Sequence, residues 1–82
     1  MRFKYVMFSK RNGDVGRKAP LIFPEALVHA EVAASARRVP FLCDAEPTSA
    51  GFVVMGGLVH CHGESESMKL PAHPDDARII QT

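Results

Sequence analysis

Apolar and polar positions alternate along the first part of this chain in a way that predicts two paired strands. Residues 2–9 begin with basic side chains that alternate with aromatic or apolar ones and then become mostly apolar. Residues 18–23 predict a second strand, and Asn12-Gly13 between the two is a hairpin turn signal. Because Pro20 cannot donate a hydrogen bond to a neighbouring strand, we expect the second strand to be short or at a sheet edge.

A helix is predicted from Glu25 to Arg38. Pro24 precedes it, and the fixed φ of proline suits the first helical position. Glu25 complements the positive end of the helix dipole, and Pro40 ends the element. The apolar side chains fall on one stripe at helical spacing, which is formed by Val28, Val32, Ala36 and Val39.

The second half of the chain predicts more sheet. A short third strand is predicted over residues 39–43, and a loop over residues 46–49. Gly56-Gly57 lies between two apolar runs and predicts a two-residue hairpin turn, with the returning arm running on toward Leu70. Residues 74–80 predict a short terminal helix, with a proline at its start and acids in its first turn.

These elements together predict an α+β fold. We expect a small, largely antiparallel sheet in the order β-β-α-β-β-β, followed by a short C-terminal helix, with the one main helix on one face. The 82 residues are enough for a single domain, 1–82, with one modest core.

The predicted turn determines which side chains share a face of the sheet. Phe52, Val54, Val59 and Cys61 are assigned to the core, and Val53, Met55, Leu58, His60 and His62 to the outer face. If the strand continues without a bulge, Glu64 and Glu66 join the outer face. The apolar part of that face, Val53, Met55 and Leu58, needs a cover. Either the C-terminal helix, with Ile79 and Ile80, or a second copy of the protein supplies it.

Two histidines are the candidate metal ligands. Alternate strand residues lie roughly 6.6 Å apart on one face, so His60 and His62 are placed to bind one divalent metal ion, such as zinc, copper or nickel. A third ligand would come from Glu64, His73 or a neighbouring strand. The alternative is a polar strand whose histidines are only solvated. No catalytic residue is predicted, because His60 and Cys61 are adjacent and point to opposite faces, and no enzyme motif is present.

Charge is distributed unevenly along the chain. The first 18 residues carry six basic side chains and one acidic one, although the net charge of the whole chain is only +1. The basic cluster around the first hairpin, Lys10, Arg11, Arg17 and Lys18, is a candidate nucleic-acid contact. The aromatic rings of Phe3, Tyr5 and Phe8 are candidates for stacking on bases. The alternative is a charged hairpin that only aids solubility.

Four short segments resemble small uncharacterised proteins of phage and prophage genomes. These are Ser-Ala-Gly-Phe-Val at 49–53, Gly-Glu-Ser-Glu-Ser at 63–67, Pro-Asp-Asp-Ala at 74–77 and Phe-Pro-Glu at 23–25. The resemblance implies a small cytoplasmic accessory protein and assigns no functional residue.

The sequence therefore predicts a cytoplasmic, non-enzymatic interaction or accessory protein. We expect a homodimer, or a complex with another protein, formed through the outer sheet face. Nucleic-acid binding by the basic hairpin is the second hypothesis and metal binding by the histidines the third. No apolar run approaches the ~20 residues of a membrane span. The N-terminus lacks the features of a signal peptide, so the two cysteines are expected to be reduced.

Overall fold

An antiparallel sheet organises the chain in the computed structural model, which describes residues 2–10, 18–40, 42 and 45–81. Its strand order is β2-β1-β3-β4, where β1 is Arg2–Lys10, β2 is Lys18–Phe23, β3 is Ala45–Val54 and β4 is His60–His62. A separate antiparallel pair joins β5 (Glu64–Ser65) to β6 (Leu70–Pro71). The helices are α1 (His29–Ala36) and α2 (Asp76–Gln81). The predicted α+β class is confirmed, and so is the edge position of β2, the strand that contains Pro20.

Strand β1 lies at the centre of the sheet and is buried on both faces. Val6 and Phe8 face α1, and their cluster includes Ala33 and Ala36 of that helix. Tyr5 and Met7 face the other way, with Val53. Ile79 and Ile80 of α2 pack against this second cluster. The two helices therefore cover opposite faces, and the C-terminal helix is the predicted cover for the face that α1 leaves open.

Helix α1 is shorter than the predicted span from Glu25 to Arg38. The Leu27 N–H donates a hydrogen bond to the Pro24 carbonyl in a turn. The Lys4 ammonium donates a hydrogen bond to the Leu27 carbonyl at 2.7 Å. These bonds hold residues 24–27 outside the helix. The buried face also differs from the predicted stripe, since His29, Ala33 and Ala36 are buried. Val28 and Val39 are 42% and 46% exposed.

Strand β3 occupies residues that were predicted to be a loop. Residues 39, 40 and 42 form turns instead of the predicted third strand, and the strand begins at Ala45. Pro47 fits within β3 because it pairs with Phe8 just past a register shift, and β4 pairs only with residues 52–54. On the β4 side of β3, therefore, no strand pairs with Pro47 and none requires the N–H that proline lacks.

Candidate functional site

The β3–β4 hairpin has a longer loop than predicted, and this moves the side chains of β4 to the opposite face from the one expected. Val54 pairs with His60 and Val53 with Cys61, so residues 55–59 form the loop. The predicted two-residue turn is wrong, because the strands stop pairing at Val54 and His60 and leave five residues between them. The register moves by one residue, so side chains expected on one face lie on the other.

The predicted interaction residues Val53, Met55 and Leu58 have different environments. Val53 is fully buried beside Tyr5 and Met7, so it belongs to no outer surface. Met55 is partly buried at the margin of the same cluster. Leu58 is 85% exposed, the largest value among the exposed large apolar side chains of the described residues. Of the predicted surface, only Met55 and Leu58 remain accessible.

An open groove remains on the sheet face that α2 covers. It is lined by Phe3, Ile22, Met55 and Gly56 and has a volume of about 500 Å³. Phe3 and Ile22 are the sheet neighbours of the buried cluster, but they lie only at its edge. Leu58 belongs to the same loop as Met55 and Gly56. We call the groove together with Leu58 the groove surface, and none of its five residues is charged.

The candidate metal ligands His60 and His62 lie on the α1 side of the sheet with Phe52 and Val54. Their ring centroids are 5.7 Å apart, with 23° between the ring planes. The ring of His62 stacks on Phe52 at 5.8 Å. Glu64 does not continue this row, because Gly63 adopts a φ of +76° and β5 begins after it. The described residues contain no group of three or more His, Cys, Asp or Glu side chains that could hold a metal ion.

The Arg2 side chain lies over the ring of Phe52. The Arg2 guanidinium carbon lies 4.7 Å from the ring centroid, within the range of a cation–π contact. Arg2 forms an ion pair with Glu25 at the surface. A hydrogen bond between their side chains raises the pKa of Arg2 and lowers that of Glu25. The pair ties the start of β1 to the turn before α1.

A polar cleft lies next to Phe52, between the start of α1 and the β5 segment. It has a volume of about 670 Å³ and is lined by Lys4, Val28, His29, Phe52, Glu64, Glu66 and Ser67. The His29 ring is 4% exposed, and its Nε2 lies 2.9 Å from the Gly51 carbonyl oxygen. The Ser67 hydroxyl accepts a bond from the Ala30 N–H. His29 and Ser67 therefore hold the walls of the cleft together.

A buried carboxylate fastens α2 to the sheet. Asp76 is fully buried, and its Oδ2 accepts hydrogen bonds from the Tyr5 hydroxyl at 2.5 Å and the Ser49 hydroxyl at 2.7 Å. The His73 N–H donates a third bond to the same oxygen at 3.1 Å. Oδ1 is buried with no hydrogen-bond partner among the described residues. We call Asp76 and these three donors the Asp76 cluster.

The Asp76 cluster is a feature that the sequence did not reveal. The sequence indicates Asp76 only as one of the acids in the first turn of the terminal helix. Tyr5 and Asp76 are separated by 71 positions, and neither residue belongs to a recognisable motif. Burial, followed by the bond to Asp76, raises the pKa of Tyr5 far above its ordinary value. The phenol therefore stays protonated and acts as a donor.

Cys61 packs beside the Asp76 cluster instead of beside Phe52 and Val54 as predicted. Its partners are on the Tyr5 face, because it pairs with Val53. Burial raises the pKa of the Cys61 thiol, which keeps it in the unreactive protonated form. The divergence of Cys61 from His60 is as predicted. Cys43 lies outside the described residues.

The basic hairpin is only partly described. Arg11 and Arg17 lie outside the described residues, as does the side chain of Lys10, and Lys18 lies in β2 opposite Ser9. Tyr5 and Phe8 are 0% and 2% exposed, so they offer no free face to a base. Nucleic-acid binding stays a prediction, without support from these aromatic rings.

Comparison with protein-family models, with curated proteins and with solved structures finds no match to this chain. The resemblance to phage proteins therefore stays a prediction. Within the described residues, no helix is long and apolar enough to cross a membrane.

Proposed function

We propose that this chain is a non-enzymatic interaction protein that self-associates through the groove surface. The observation that carries the proposal is the 85% exposure of Leu58 in the loop that supplies Met55 and Gly56 to an open apolar groove. Scattered apolar side chains are common on protein surfaces, but a protruding one beside an apolar concavity marks an interaction site.

The cover that α2 provides is incomplete, and this explains why the groove exists. Ile79 and Ile80 pack against the cluster of Tyr5, Met7 and Val53. The six-residue helix leaves an opening between Phe3, Ile22 and Met55, at the margin of that cluster. The sheet face is therefore apolar over a larger area than the chain itself covers.

A second copy of the chain suits this surface because the surface complements itself. A two-fold dimer places the same patch of both copies in contact. A protruding side chain of each copy then fills the groove of the other copy. Leu58 is the protruding side chain, and Phe3, Ile22 and Met55 form the groove. With no charged residue in the patch, the two copies meet without desolvating like charges.

The test is sedimentation equilibrium of the wild type and of Leu58→Asp at chain concentrations up to about 1 mM. An association of about 4 kcal/mol is half complete at that concentration. Burying two leucines contributes about 3–6 kcal/mol, so Leu58→Asp is expected to raise the dimer Kd by on the order of 100-fold or more.

The matched control is Val39→Asp, which changes an apolar residue that is 46% exposed beyond the end of α1, away from the groove surface. It is expected to leave the dimer Kd unchanged. A wild type that stays monomeric throughout the concentration range contradicts the proposal. So does a dimer that Leu58→Asp weakens no more than Val39→Asp does.

A further inference from the structure

The histidine pair, His60 and His62, has the geometry of a chelating site on the opposite face of the sheet from the groove surface. Strand β4 places both side chains on one face, because alternate residues of a strand point to the same side. The ring centroids are 5.7 Å apart and the planes differ by 23°. Because β4 is the last strand in the order β2-β1-β3-β4, the pair lies at a sheet edge.

Both imidazoles have uncommitted nitrogen atoms within the described part of the chain. Neither ring takes part there in a hydrogen bond or an ion pair, and the contacts of the pair are stacking contacts between rings. In contrast, His29 uses its Nε2 on the Gly51 carbonyl, and His73 uses its Nδ1 on the Asp75 N–H. The histidine pair is thus the one place in the described chain where two adjacent imidazoles are free to bind.

The partners of His62 also limit the freedom of its ring. Phe52 stacks on one side of it, and Arg2 lies over the Phe52 ring. A ring held in position before binding loses less entropy when it binds a ligand. His60 is exposed, so it is free to rotate toward an ion held by its neighbour.

We propose that His60 and His62 together bind one divalent transition-metal ion of the class that prefers imidazole, such as Zn²⁺. Each neutral imidazole supplies one nitrogen, at the usual metal–nitrogen distance of about 2.0–2.1 Å. The described residues contain no cluster of three side chains placed to hold a metal ion, so water completes the coordination. The site is independent of self-association because the groove surface lies on the other face.

The test is calorimetric titration with Zn²⁺ alone, in a buffer that does not bind metal, with the histidine ring protons followed by NMR. Two ligands on one strand make formation of the second bond intramolecular. His60→Gln and His62→Gln are therefore each expected to weaken Zn²⁺ binding by on the order of 100-fold. The ring resonances of His60 and His62 are expected to shift together on saturation at one ion per chain.

The control is Glu31→Gln, which removes an exposed carboxylate of α1 outside the pair and is expected to leave the affinity unchanged. His62→Gln removes a ring that stacks on Phe52 and can disturb the local packing. His60 is exposed, so His60→Gln tests metal binding without that disturbance. Affinity that is unchanged by His60→Gln overturns the proposal. Equal weakening by Glu31→Gln, or ring shifts confined to His73, overturns it as well.

Discussion

Tyr5→Phe removes a single oxygen atom from the Asp76 cluster and tests whether that cluster fastens α2 to the sheet. The hydroxyl of Tyr5 is fully buried and donates to Asp76 Oδ2 at 2.5 Å. Phenylalanine keeps the ring and its packing, so the variant isolates the hydrogen bond. The carboxylate retains the donors from Ser49 and His73.

The expected cost follows from the charge and burial of the acceptor. A hydrogen bond to a charged group contributes about 1.5–3 kcal/mol, so Tyr5→Phe is expected to lower the free energy of unfolding by that amount. A chain of this size has a total stability of about 4–12 kcal/mol. The loss corresponds to about 4–8 °C in Tm for each kcal/mol.

Ser49→Ala is expected to cost a similar amount, and the double variant is expected to cost more than the sum. With both hydroxyls removed, a buried carboxylate keeps only the His73 N–H, and a poorly solvated charge is penalised by several kcal/mol. The matched control is Thr48→Ala, which removes the neighbouring hydroxyl. Thr48 is exposed and makes only a long 3.4 Å bond to the Met7 carbonyl.

The assay is urea unfolding of the single and double variants, followed by circular dichroism at neutral pH. If Tyr5→Phe and Thr48→Ala have equally small effects, the buried hydrogen bond does not stabilise the fold and the reasoning is refuted. Strict additivity of Tyr5→Phe and Ser49→Ala would show that the two donors do not share one acceptor.

Three further predictions concern stability and use the same unfolding assay. Gly51→Ala is expected to cost about 1–3 kcal/mol, because the new Cβ would lie 2.7 Å from the His62 carbonyl oxygen, whereas Gly57→Ala, which meets no neighbour, should have little effect. Equal effects of the two substitutions would contradict this close approach. Ser67→Ala removes the oxygen that accepts the Ala30 N–H and is expected to cost about 0.5–1.5 kcal/mol; an unchanged urea midpoint would show that this hydrogen bond does not stabilise the fold. Stability is expected to fall as pH rises above about 10, because the raised pKa keeps Tyr5 protonated in the folded chain while the unfolded chain releases its proton. Tyr5→Phe should flatten that decline, and an unchanged decline would assign it to other groups.

The local patterns of the sequence were sufficient to predict the fold class and several elements. Strand β2 has the predicted bounds, 18–23, and β1 exceeds its prediction by one residue. Ile79 and Ile80 were identified as a cover for the second sheet face, and they pack there. These predictions depend on periodicity and on proline, which act over a few neighbouring residues.

Errors arose where contacts distant in sequence override local preference. Pro47 indicates a loop locally, yet it lies in β3 because β1 pairs with it and β4 does not reach it. Gly56-Gly57 indicates a tight turn, yet the loop extends to five residues, 55–59. That shift moves Cys61 to the other face, whereas Val53 is buried because α2 covers its face, so the predicted interaction surface was only partly right.

The candidate sites differ in how far the sequence predicts them. The placement of His60 and His62 on one face follows from strand alternation alone and does not depend on the register of the partner strand. The groove surface depends on the length of α2 and on the loop, which no local pattern determines. The Asp76 cluster unites residues from β1, β3 and α2, so only the folded chain reveals it.

The most direct test of self-association through the groove surface is a dilution series followed by methyl NMR. The account predicts that the methyl resonances of Leu58, Met55 and Ile22 shift with chain concentration along one binding curve, while those of Val39 stay fixed. An association of about 4 kcal/mol is half complete at about 1 mM. Leu58 resonances that do not change up to that concentration would contradict the account, and so would shifts centred on Val39.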